Sequence, residues 1–179
     1  PTTSNPTGTR TIVTPIMNDE CATATAFPII PTDGNCVTLS NQSTAGATNS
    51  NVTPTGSCTS NSGTPNDVWF SFVASATSLI LQYTYVSGVT DIYTQVFSSA
   101  CSPTMTSILC TDTDAGGTLN GLTIGNTYYI KMYAYFGGTT VQNVCLKTLP
   151  PPPANNDCLG AVSLTPSVDL TCAGVTSGT

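Results

Sequence analysis

The segment Pro65-Asn66-Asp67-Val68-Trp69-Phe70-Ser71-Phe72 decides how this chain is read. It holds the single tryptophan and two of the five phenylalanines. Pro-Asn-Asp is a turn signal, and the β-branched and aromatic residues after it favour a strand. Side chains alternate along a strand, so Val68, Phe70 and Phe72 share one face and Trp69 and Ser71 the other. A strand with large apolar groups on both faces needs cover on both sides. The segment therefore predicts a central strand.

Working outward, similar runs recur. Phe27 to Ile30 and Asn35 to Leu39 read as short strands, and Cys21 to Ala26 as a turn. Leu79 to Val86, Asp91 to Phe97, Ser107 to Thr111, Thr127 to Phe136 and Val141 to Leu149 complete the set. Gly116-Gly117 and Gly125-Asn126 read as turns. The polar stretch 41–66 is too long to be wholly structureless inside a compact domain, so part of it should form a strand. No amphipathic helix is visible. Many short strands separated by turns predict an all-β, antiparallel β-sandwich.

Only 7% of the 179 residues are charged, and the net charge is −6. Globular proteins usually carry about 25% charged residues. Solvation here falls to Thr, Ser and Asn. The three basic residues, Arg10, Lys131 and Lys147, cannot neutralise a phosphate backbone, which excludes nucleic acid as a partner. No apolar run approaches the length of a membrane-spanning helix, so membrane insertion is not expected. No signal peptide is visible, so the chain reads as a mature protein or a fragment.

Cysteines stand at 21, 36, 58, 101, 110, 145, 158 and 172. There is no histidine and no CxxC pair, as zinc sites would require. The even number and wide spacing predict disulfides and an oxidising, extracellular setting. Lack of histidine also removes the commonest general base and any Ser-His or Cys-His pair. Asp112 and Asp114 form a paired-carboxylate motif in a Gly-rich loop, but such pairs are usually solvated turn formers. No enzyme is expected.

Residues 1–17 are polar and carry prolines, which reads as an arm or linker. Residues 18–149 form the body, and the Pro-rich stretch 150–154 reads as a linker. Asn155-Asn156-Asp157-Cys158 then echoes Asn18-Asp19-Glu20-Cys21, so 155–179 reads as the start of a second, truncated repeat.

The opening Asn18-Asp19-Glu20-Cys21, the strand Asp67-Val68-Trp69-Phe70-Ser71-Phe72, the run Thr90 to Phe97, the Cys101…Cys110 segment and the run Gly121 to Tyr135 together resemble repeats of large secreted and surface proteins of Bacteroidetes. Many of those are cargo of the type IX secretion system. These repeats are similar in turn to the bacterial pre-peptidase C-terminal domain, a jelly-roll β-sandwich. The resemblance covers roughly residues 18–149 and restarts at 155. It implies a non-enzymatic, extracellular or cell-surface module of a repeat adhesin or filament, with neighbouring repeats or copies of itself as partners. The alternative is a carbohydrate-binding accessory module of a secreted hydrolase, with surface glycans or proteins as partners.

The pre-peptidase resemblance also implies calcium at Asp19, Glu20 and Asp67; no other cofactor is expected. Read without it, Asn18 and Asp19 cap a turn and Asp67 ends a loop. In Thr127 to Phe136, one face carries Tyr128, Ile130, Met132, Ala134 and Phe136 and is assigned to the core. The other carries Tyr129, Lys131, Tyr133 and Tyr135. Exposed, Tyr129, Tyr133 and Tyr135 would stack on a sugar or anchor a partner; covered by a loop, they would be packing. By position, the cysteines suggest Cys101 with Cys110, Cys36 with Cys58, Cys21 with Cys145, and Cys158 with Cys172 or with partners beyond the chain.

Overall fold

The computed structural model describes residues 16–56 and 66–150, together with Pro153, Asn155 and Ala161. The chain divides into a unit Pro1–Leu149 and a unit Pro150–Thr179. The architecture below is that of the first. Most of the expected arm and nearly all of the expected second repeat, including Cys158 and Cys172, lie outside the described residues, as does Cys58.

Among the described residues ten strands form two sheets: β1 Thr25–Ala26, β2 Val37–Ser43, β3 Thr53–Gly56, β4 Asp67–Val73, β5 Ser78–Gly88, β6 Ile92–Phe97, β7 Thr104–Thr111, β8 Gly116–Asn120, β9 Thr127–Ala134 and β10 Thr140–Thr148. The first sheet has the order β1-β4-β9-β6-β7-β3 and the second β2-β10-β5-β8. Pairing is antiparallel except β1 with β4 and β3 with β7. The fold is a disulfide-stapled, antiparallel β-sandwich of jelly-roll type. Among the described residues the only helical segments are single 3-10 turns at Cys21–Thr23 and Tyr135–Gly137.

Between the sheets lies the main core. Val68, Phe70 and Phe72 of β4 and Tyr128, Ile130 and Met132 of β9 face Leu79 and Leu81 of β5 and Val144 and Leu146 of β10. The face alternation expected for β4 and β9 is observed. A second, smaller core sits on the outer face of the six-stranded sheet. There Trp69, Phe97 and Met105 pack with Cys21 and Val52, which belong to the chain segments crossing that face. Burial of Trp69 and Phe70 is complete, so β4 is covered on both sides as its sequence demands.

Part of 41–66 does form a strand, β3, whose Thr53–Gly56 adds to the edge of β7. Two expectations fail locally. Phe27 to Ile30 is not a strand: the ladder ends at Ala26, followed by one further bond from Phe27 N–H to Ser71 O, at 2.7 Å. Pro28 has no N–H to extend the ladder. Gly116-Gly117 is not a turn but the beginning of β8, paired with Leu81 and Gln82 of β5.

The disulfides join Cys21 to Cys101 and Cys36 to Cys145, with Cα–Cα distances of 5.7 Å in each. These correct the positional pairings. Cys101 precedes β7 and Cys110 lies near its end, and an extended strand of about 3.3 Å per residue holds them apart. Cys21 lies on the outer face of the six-stranded sheet, whereas Cys145 belongs to β10 of the other sheet. Cys36 precedes β2, and β2 pairs with β10 so that Thr38 lies opposite Cys145. Cys110 is also disulfide-bonded.

Candidate functional site

The outer face of the six-stranded sheet is built around a polar cluster. Asp67 and Trp69 project outward from β4, and Tyr129, Lys131 and Tyr133 from β9. The register sets Asp67 opposite Tyr133 and Trp69 opposite Lys131. The Lys131 Nζ lies 3.2 Å from Asp67 Oδ2, with both side chains fully buried. The indole Nε1–H of Trp69 donates to Asp67 Oδ1 at 2.7 Å. The Ser50 N–H donates to Asp67 Oδ2 at 3.2 Å. Lys131 Nζ also faces the Trp69 ring at 6.0 Å and the Tyr133 ring at 5.4 Å. Tyr133 in turn packs on Tyr93 with ring centroids 5.2 Å apart.

Burial dominates the electrostatics. Loss of water raises the Asp67 carboxyl above its ordinary range, with Lys131 opposing the shift. The same desolvation pulls the Lys131 ammonium down, against the attraction of Asp67. Both groups are pushed toward their neutral forms. Glu20 is exposed, and its carboxyl is raised first by partial desolvation, then by Asp19 and Asp67.

This geometry corrects the tyrosine row. Tyr133 is fully buried, and Tyr129 and Tyr135 are half-buried. Tyr135 has left the strand for the 3-10 turn, where its N–H donates to Asp91 O at 2.9 Å. The three do not form an exposed stacking platform, because chain segments lie across the sheet. The acids at the domain opening do not converge either. Asp19 accepts from the Thr48 N–H and from its hydroxyl, the latter at 2.8 Å. Asp67 is committed to Trp69, Lys131 and Ser50. Among the described residues no three carboxylate or cysteine groups cluster as metal ligands would. Asp19 and Asp67 thus tie the 47–52 segment to the domain opening and to β4, while the Glu20 side chain is exposed. Asp112 and Asp114 are exposed, and Asp114 Oδ1 accepts from the Ile92 N–H at 3.1 Å.

Open depressions occur on both sheets among the described residues. One, of about 440 Å³, lies beside the Cys21–Cys101 disulfide and is lined by Glu20, Ser50, Asn51, Val52, Ser102 and Pro103. Another, of about 390 Å³, lies on the four-stranded sheet. Thr38 of β2, Gln82 and Thr84 of β5, Asn143 of β10 and Ala115 surround its Cys36–Cys145 floor. Thr38, Gln82 and Thr84 are exposed. Asn143 Oδ1 accepts from the Asn41 N–H at 2.9 Å, which fixes its amide. The sequence held no signal for this groove, since its four polar residues come from three separated strands.

A disulfide-bonded jelly-roll sandwich with an uncharged open groove on one sheet has the architecture of a binding module. Residues 17–145 match the family described as galactose binding domain-like, associated with type IX secretion, and the chain belongs to that family. The secretion-system association expected from the motifs is thereby found. Domains of this type are typically non-catalytic binding modules. No curated protein and no solved structure matches the chain. No helix of the described residues is long and apolar enough to cross a membrane, which says nothing of β-barrel proteins. The secretion association and the disulfides are consistent with an extracellular or cell-surface protein.

Proposed function

We propose that this domain is a non-catalytic extracellular module that binds neutral carbohydrate in the groove of the four-stranded sheet. The observation that carries the reading is the composition of that groove. Gln82, Asn143, Thr38 and Thr84 supply amides and hydroxyls, with no charged residue among the lining groups. Sugar hydroxyls donate and accept hydrogen bonds at once, and amides and hydroxyls do the same. Rigid sheet strands and the disulfide floor hold these groups in place, which lowers the entropy cost of binding.

Glycan-array screening followed by calorimetry tests this. The native chain should retain a neutral sugar. The double variant Gln82→Ala with Thr84→Ala should weaken binding about tenfold or more, equivalent to about 1.4 kcal/mol. The variant Tyr129→Ala should bind as the native chain does. Absence of any retained glycan, or full binding by the double variant, rejects the assignment.

Such a module serves equally in a repeat adhesin or filament and beside the catalytic domain of a secreted hydrolase. The disulfides favour the first role: they close loops of 80 and 109 residues and so tie distant parts of the sandwich against stretching. The echo of Asn18-Asp19-Glu20-Cys21 at Asn155-Asn156-Asp157-Cys158 supports it as well. Further copies in the parent chain would agree with the adhesin role, and a catalytic domain there would favour the hydrolase. Calcium at Asp19 and Glu20 remains a proposal of the resemblance alone; calorimetry with and without a chelator tests it, and unchanged melting ends it.

A further inference from the structure

We propose that Lys131 and Asp67 become joined by an intramolecular amide bond between the Lys131 Nζ and the Asp67 Cγ. The two side chains project from the same face of neighbouring antiparallel strands, one pair apart in register. Their nitrogen and oxygen stand 3.2 Å apart with no solvent exposure on either side. Contact with Oδ2, which is bonded to Cγ, sets the nitrogen beside the carbon it would attack, so the two reacting groups are already held together. Lys131 Nζ has Asp67 as its ion-pair partner and the Trp69 and Tyr133 rings beside it, but makes no well-aligned hydrogen bond among the described residues. An ionised pair in such a place costs several kcal/mol per ion in lost hydration, and condensation removes both charges.

The surrounding groups suit the reaction. A proton passes from the ammonium to Asp67 Oδ2 across the contact, leaving an amine and a carboxylic acid. Burial favours this neutral pair, as it pushes the carboxyl up and the ammonium down. The amine lone pair attacks Cγ. Charge developing on Oδ1 meets the Trp69 Nε1–H, already 2.7 Å away, in the manner of an oxyanion-hole donor. The Cγ–Oδ2 bond breaks, and Oδ2 departs as water with its own proton and one from the nitrogen. The amide nitrogen keeps one hydrogen. Carbon, nitrogen and oxygen keep their oxidation states, so no oxidant, metal or cofactor is needed. The product staples β4 to β9, inside the six-stranded sheet.

The test uses the full chain, purified and with its disulfides reduced. Intact-mass spectrometry should find it lighter than its sequence by one water. Trypsin gives a second readout, because the chain has only Arg10, Lys131 and Lys147 as cleavage sites. A Lys131 in amide linkage is not cleaved, so the fragment from Thr11 to Lys147 should stay whole and lose the cut after Lys131. The Lys131→Arg variant keeps the positive charge beside Asp67 but cannot condense. It should show the full sequence mass and be cut at that position, whether or not it folds. A native chain of full sequence mass overturns the proposal. So does a chain one water light that trypsin still cuts after Lys131.

Discussion

Tyr83 projects from β5 into the core, where its hydroxyl accepts from Thr94 Oγ1 at 3.1 Å. Burial raises its pKa well above that of a free tyrosine. The unfolded chain releases this proton near about pH 10, whereas the folded chain keeps it. The folded pKa is the higher, so the stabilisation is whole below about pH 10 and declines as pH climbs above that value. Denaturant midpoints followed into alkaline solution should fall steeply in the native protein, and less steeply in Tyr83→Phe. At this scale the sequence was partly legible. Alternation put Tyr129, Lys131 and Tyr133 on the outer face, which is where they are. That this face needs cover was legible in the two-sided apolar pattern of β4; which residues supply it was not, because Asn18 to Cys21 and the 47–52 segment are remote along the chain. Asn18 shows the point: its carbonyl accepts from the Trp69 N–H at 2.8 Å across 51 residues.

Strand β8 shows what local rules miss. Gly116-Gly117 carries the composition of a turn, yet both residues pair with β5. Gly116 has φ of +91°, a conformation open to glycine, and a Cβ there would meet the Leu81 carbonyl oxygen. Gly117 lies differently: a Cβ would sit 3.4 Å from a Leu109 methyl, at ordinary contact distance. Gly116→Ala should therefore cost about 1–3 kcal/mol of folding stability from left-handed strain. Gly117→Ala should cost little. Chemical denaturation of the two variants side by side checks the contrast, and equal losses would refute the strain argument. Strand β3 was legible only as a requirement that some of 41–66 be ordered. Its position was not, since Thr53–Gly56 is an edge strand in a Thr- and Pro-bearing sequence and is placed by pairing with β7.

Over the whole molecule, the disulfides set the resistance to unfolding. Loops of 80 and 109 residues are closed by Cys21–Cys101 and Cys36–Cys145. Removing either bridge, by Cys101→Ser or by Cys36→Ser, should cost about 2–5 kcal/mol. Chain-closure entropy grows only with the logarithm of loop length, so the two losses should differ by just about 0.3 kcal/mol from this source. Equilibrium unfolding without reductant measures both. A variant that unfolds at the native midpoint would show its bridge to be dispensable.

The sequence by itself determined the β-sandwich, the two-sided burial of β4, the face alternation of β9 and the oxidised state of the described cysteines. Each follows from period-two patterning, turn chemistry or composition, which act between near neighbours. Only the tertiary structure decided which cysteines pair, that Tyr133 is buried, that Asp67 meets Lys131, and that Thr38, Gln82, Thr84 and Asn143 share one groove. Those outcomes depend on strand order and on segments that cross a sheet face. They are fixed by packing between residues far apart along the chain, for which local sequence carries no signal.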